Sequence, residues 1–174
     1  MTFLRAAFRN VNRVWSGRVV YAHCDIPCGI YDPHLAQVAA LTAIRMNQLI
    51  QELPKPGPSA TPQERDTYTA KMGRYISVKE HHAELCKQEL RILWGDYFKP
   101  EHVQQYPELH GLFWDAMKQG SKVRQEIDMA AAQGLLGTVQ KIAEIFWKTK
   151  GADVRRQPSM QTAGGELVYP TPKK

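Results

Sequence analysis

The chain has 174 residues, 43% of them hydrophobic and 9% aromatic, and carries a net charge of +6 at pH 7. That length suits one domain able to bury about two-thirds of its unfolded surface, and the composition excludes a fibrous, collagenous or wholly disordered protein. No apolar run approaches the roughly 18 residues of a membrane span, so no stable membrane insertion is expected.

The positive charge is concentrated at the front. Residues 1–22 hold Arg5, Arg9, Arg13 and Arg18 and no acidic side chain, which leaves 19 basic against 17 acidic residues in the rest of the chain. A general nucleic-acid surface is therefore not expected. The arginines are spaced among Phe3, Leu4, Phe8, Val11, Val14 and Trp15, the pattern of a short basic amphipathic leader or docking helix. An unbroken apolar stretch of the secretory type is missing, although Val20 and Ala22 suit a small-residue cleavage site before His23. Three cysteines, an odd number, argue against a disulfide scaffold and for a reducing, cytoplasmic setting, with an organelle or export through the basic leader as the alternative.

Asp32-Pro33 opens the first helix, since Asp accepts orphan amide hydrogens and Pro at the first turn loses no hydrogen bond. Leu35, Val38, Leu41, Ile44 or Arg45, and Leu49 then recur at helical spacing to about residue 53. "PKPGPSATP" (54–62) reads as a stiff exposed loop. A long helix follows from Glu64 to Trp94, with Tyr68, Met72, Tyr75, Lys79, His82, Cys86, Leu90 and Leu93 on one face. "GDYFKP" (95–100) ends it, because Pro100 restricts Lys99 to extended geometry. A shorter helix is expected from Pro107 to Gly120 and a last one from about Ser121 to Lys148. No run alternates with period two for long enough to propose a sheet, so the fold class is all-α, a four-helix bundle. The tail, 151–174, is rich in Pro and Gly and reads as extended or disordered.

The densest chemistry lies in "HCDIPCGIYDP" (23–33). Cys24 and Cys28 stand four apart, and Pro27 and Gly29 favour a tight turn over a helix, so both sulfurs can return to one point beside His23. Two thiolates with nitrogen donors suit nickel or copper if planar and zinc if tetrahedral. A redox-active or inert thiol pair is compatible with the same spacing. Cys86, on an apolar helical face, reads as a buried structural cysteine. No di-iron, zinc-protease, phosphate-loop, dinucleotide or serine-hydrolase motif is present.

Together with "LWGDYFKP" (93–100), "YPELH" (106–110) and "IFWKTK" (145–150), the opening motif resembles the nickel-containing superoxide dismutases. The resemblance implies cleavage between Ala22 and His23 by a maturation protease, leaving a 1–22 propeptide, a 23–150 hook-and-bundle domain and the 151–174 tail. It implies one nickel ion per subunit, held by the α-amine and imidazole of His23, the amide nitrogen of Cys24 and the thiolates of Cys24 and Cys28. The implied substrate is superoxide and the implied assembly a homohexamer. Tyr31 resembles the tyrosine over the open metal face and Tyr97 a second one nearby, with Asp96 as its hydrogen-bond partner. Lys99 resembles a lysine paired with Asp25, and Pro27, preceded by a cis bond, and Gly29 shape the hook. At the positions aligned with a glutamate and arginine that support the histidine in better-known members, this chain has Ala39 and His82, so His82 is expected to take over part of that support.

Overall fold

The computed structural model describes residues 28–171; the leader and the front of the hook, with the Ile26-Pro27 bond, lie outside the described residues. Helix α1 spans His34–Glu52, α2 spans Pro62–Ile92, and α3 is a short helix, Pro100–Gln105. Helix α4 covers Leu109–Gln125 and α5 covers Met129–Thr149. Strands β1 (Asp153–Pro158) and β2 (Glu166–Thr171) follow.

The four long helices form a closed ring in which α1 packs on α2, α2 on α4, α4 on α5 and α5 on α1. This is the expected four-helix bundle. Its ends are set locally. The Asp32 carboxylate accepts the His34 amide at 2.7 Å and starts α1. Thr61 and Glu64 form a reciprocal capping box ahead of α2, with Pro62 in the first turn. Lys99 is extended, φ −119° and ψ 164°, as its proline neighbour requires.

Three expectations are corrected. Gly120 does not separate two helices: α4 runs through it to Gln125, and α5 begins at Met129 behind its cap Asp128, whose side chain accepts the Ala131 amide. A Cβ at position 120 would lie 2.8 Å from Cγ of Lys87, so the glycine allows the stem of Lys87 to cross α4 closely. The buried side of α1 is only in part the expected stripe, of which Leu41 and Ile44 are buried. Ala36, Ala39, Ala40, Ala43 and Asn47 are fully buried, while Leu35 is 57% exposed and Val38 37% exposed. Small side chains bring the neighbouring helices close beside Leu41 and Ile44, while Leu35 and Val38 face outwards.

The third correction concerns the tail. Residues 153–171 form an antiparallel hairpin, with Val154 opposite Pro170 and Gln157 opposite Leu167. Its inner residues, Leu167 and Val168, are buried. Three glutamines of the bundle hold its backbone. Gln37 donates to the Val168 carbonyl and accepts its amide, Gln140 donates to Glu166 O, and Gln48 donates to Ala163 O. Exposed Arg155, and Arg156, which reaches Glu144 and Gln140 on α5, are what made the segment read as polar and aperiodic.

Candidate metal centre

The described part of the hook begins at Cys28. Gly29 adopts φ +69°, in the left-handed region that a side chain disfavours, so the chain turns sharply just after the cysteine. That turn aims the Ile30 amide at Cys28 Sγ, 3.4 Å away. An amide directed at sulfur stabilises a thiolate, the form that binds metal. Cys28 is half-buried, whereas Cys86 is fully buried and its thiol is pushed up to about 12 by desolvation. Cys86 therefore stays protonated, as expected of a structural cysteine, and is unsuited to ligation.

Tyr31 extends from the same segment and meets Tyr97, with ring centroids 5.6 Å apart. Tyr97 is carried by a single π-turn, Leu93–Tyr97, that closes α2 with a bond from the Phe98 amide to Leu93 O. The widened turn places the ring among Phe98, His102 and Phe146, the last with a centroid separation of 4.5 Å. π-turns inside helices recur at functional sites.

The hydroxyl of Tyr97 lies 2.7 Å from Thr149 Oγ1, on the last turn of α5. Lys150 places its ammonium 5.2 Å from the centroids of both Tyr97 and Phe146. Asp96, expected to support Tyr97, is instead exposed, and the hydroxyl is engaged by Thr149. Neither Thr149 nor Lys150 was singled out from the sequence. They lie within "IFWKTK", but 52 residues separate Thr149 from Tyr97 and no local pattern links them.

Lys99 is exposed, with its backbone amide donating to His102 Nδ1. Ala39 is buried in the core, and His82 on α2 is half-buried. The Nδ1 atom of His82 is shielded from solvent and has no partner among the described residues. Burial, with a smaller contribution from neighbouring His81, lowers the pKa of His82 below the usual imidazole value. His23, Cys24, Asp25 and Pro27 lie outside the described residues, and among the described ones no group of three or more His, Cys, Asp or Glu gathers to hold a metal. The structure thus brings together Cys28, Gly29, Tyr31 and Tyr97.

Residues 18–150 match the family of nickel-containing superoxide dismutases. Superoxide dismutase [Ni] of Streptomyces seoulensis is 39% identical over 143 residues, covering 82% of this chain and 99% of the relative. A crystal structure of nickel-containing superoxide dismutase, with nickel ligation corresponding to the oxidised state, is 36% identical, with a TM-score of 0.64. It covers 75% of this chain and is itself covered completely. Three further solved relatives are variants replaced at a first-residue histidine, a third-residue aspartate and a ninth-residue tyrosine. With nearly the full length of these relatives aligned and the bundle shared, the chain belongs to the nickel-containing superoxide dismutase family.

Proposed function

We propose that this chain is the precursor of a nickel-dependent superoxide dismutase, in which two superoxide anions and two protons give dioxygen and hydrogen peroxide once residues 1–22 are removed. One observation carries this reading. The solved relatives bear a histidine, an aspartate and a tyrosine at their first, third and ninth residues, and His23, Asp25 and Tyr31 are the only residues of this chain with that spacing.

The metal donors in this reading are the α-amine and imidazole of His23, the amide nitrogen of Cys24, and the thiolates of Cys24 and Cys28. In the uncut chain the His23 nitrogen belongs to a peptide bond, so cleavage between Ala22 and His23 creates a donor as well as a terminus. The group fits the observed end of the site: Cys28 is accessible, turned by Gly29 and offered an amide by Ile30. Bound nickel would supply one-electron chemistry, with thiolate and amide-nitrogen donors favouring its higher oxidation state. Tyr31, backed by Tyr97, would order a small anion and water beside the bound metal. Asp25 and Lys99 form an ion pair that braces the hook, Asp96 adds an acidic group near Tyr97 at the surface, and Pro27 and Gly29 set the hook's path. The unpartnered Nδ1 of His82 supports its role beside the His23 imidazole, where the methyl group of Ala39 offers no hydrogen bond.

Exposed Ile30, Leu35 and Val38, which cluster at the hook and the first turns of α1, support assembly into a homohexamer. No helix among the described residues is long and apolar enough to cross a membrane. Three cysteines, an odd number, fit a cytoplasmic setting.

The test is to purify the chain cut and uncut. Near-stoichiometric nickel and superoxide consumption are expected only in the form beginning at His23. Cys24→Ser and Cys28→Ser should abolish both, while Cys86→Ala keeps both. Nickel binding by the uncut chain, or activity in a Cys28→Ser protein, would overturn the ligand set.

A further inference from the structure

We infer that Thr149 is a positioning residue that fixes the direction of the Tyr97 hydroxyl, so that this phenol faces the candidate site as a hydrogen-bond acceptor and not as a proton donor. The inference rests on the reading of that site as the nickel centre.

The argument is a count of protons. Thr149 Oγ1 lies 2.7 Å from the Phe146 carbonyl and 2.7 Å from the Tyr97 hydroxyl. A carbonyl only accepts, and a threonine hydroxyl has one proton to give. That proton goes to Phe146 O. The Tyr97 proton must then lie on the short contact to Thr149, and the chain runs from Tyr97 through Thr149 to the end of α5. The lone pairs of the phenol oxygen are what remain for the side shared with Tyr31, whose ring centre is 5.6 Å from that of Tyr97.

The position is held from several sides. His102 stacks on the Tyr97 ring with an interplanar angle of 21°, and Phe98 and Phe146 flank it. Rotation of the ring out of reach of Thr149 is therefore obstructed, and among the described residues Thr149 sets the direction of the hydroxyl. An acceptor facing the site orders a donor, such as a water or the Tyr31 hydroxyl, and repels the oxygen of a small anion that comes too close. The protons that convert reduced superoxide to hydrogen peroxide then come from a group other than Tyr97. Removing Thr149 reverses this, because the phenol proton is freed to turn towards the anion and hold it.

Thr149→Val keeps the shape of the side chain and removes the hydroxyl, while Thr149→Ser keeps the hydroxyl. In nickel-free protein labelled with carbon-13 at tyrosine Cζ, the Tyr97 signal in mixed light and heavy water should be split by its slowly exchanging hydroxyl. The splitting should vanish in Thr149→Val and persist in Thr149→Ser. In nickel-loaded protein, Thr149→Val should bind azide, used as an anionic probe, several-fold more tightly and release it more slowly, with kcat lowered and Thr149→Ser unchanged. No splitting in the parent protein, splitting unaltered in Thr149→Val, or azide binding unaltered in Thr149→Val overturns the inference. A parent protein that takes up no nickel overturns the proposed function instead, and the labelled-tyrosine result stands apart from it.

Discussion

Replacing Gln37 by leucine should undock the C-terminal hairpin while leaving the bundle and its site in place. The Gln37 side chain is fully buried, donates to the Val168 carbonyl at 3.1 Å and accepts the Val168 amide at 2.7 Å. Leucine fills nearly the same volume but leaves both backbone groups unpaired at a residue that is 1% exposed. Each such group costs about 1–3 kcal/mol, and the hydration that Gln37 itself gives up on folding no longer has to be matched. The net loss is about 2–4 kcal/mol. A two-stranded hairpin has little stability of its own, so the loss falls on docking, where the remaining anchors include Leu167, Gln140, Gln48 and the Arg156–Glu144 ion pair. Native-state hydrogen exchange reads this directly. Amides of 153–158 and 166–171 should exchange about 30- to 700-fold faster, at 1.4 kcal/mol per factor of ten, while those of Leu135 to Phe146 keep their protection. Unchanged exchange in the hairpin would refute the reasoning, as would an equal loss throughout α5, which would mean that hairpin and bundle open as one unit.

Lys150→Gln should weaken anion capture modestly. The ammonium lies within about 11 Å of the Tyr31 ring, the most that its separations of 5.2 Å and 5.6 Å through Tyr97 allow. A unit charge at that range is worth ~0.4 kcal/mol in water, so kcat/KM measured by stopped flow should fall about twofold at low ionic strength and the gap should close near 0.1 M salt, where the Debye length is about 10 Å. Equal rates at low salt would remove Lys150 from the capture field. Gly29→Ala should cost about 1 kcal/mol by forcing a side chain into the left-handed region, read as weaker nickel retention against a chelator; nickel retention equal to the parent would show that the turn tolerates a side chain. Asp128→Asn keeps a capping oxygen for Ala131 but loses the charge paired with Lys122 at 2.7 Å. That lysine, and then the Ala131 amide, hold the Asp128 carboxyl below the ordinary value of 3.8. The stability it contributes is thus present above pH 3.8 and lost as pH falls through its lower folded value. Urea unfolding should show the parent more stable than Asp128→Asn at neutral pH, with the difference shrinking below pH 3.8; a constant difference across that range would mean the effect is not electrostatic.

What the sequence by itself determined is the chemistry and the punctuation. Asp32-Pro33, the capping residues Thr61 and Glu64, the proline-rich loop and Lys99-Pro100 act over one to four residues, so their outcome follows from backbone sterics and local hydrogen bonds. The hook motif likewise carries its proposed donors within six positions, His23 to Cys28. The resemblance of the scattered blocks was sufficient to name the family. What only the tertiary structure decided depends on partners distant in the chain. Gly120 lies inside a helix at the point where the Lys87 stem crosses it, and α1 turns its alanines inwards because close helix packing outweighs the burial of Leu35 and Val38. The tail became a hairpin because Gln37, 131 residues away from Val168, satisfies backbone groups that the tail's own residues leave open. Tyr97 gained Thr149 in the same way, across 52 residues. Polar side chains at these places carry no periodic signal, since a single buried hydrogen bond requires one residue and no repeat, and its partner is fixed only when the helices have packed.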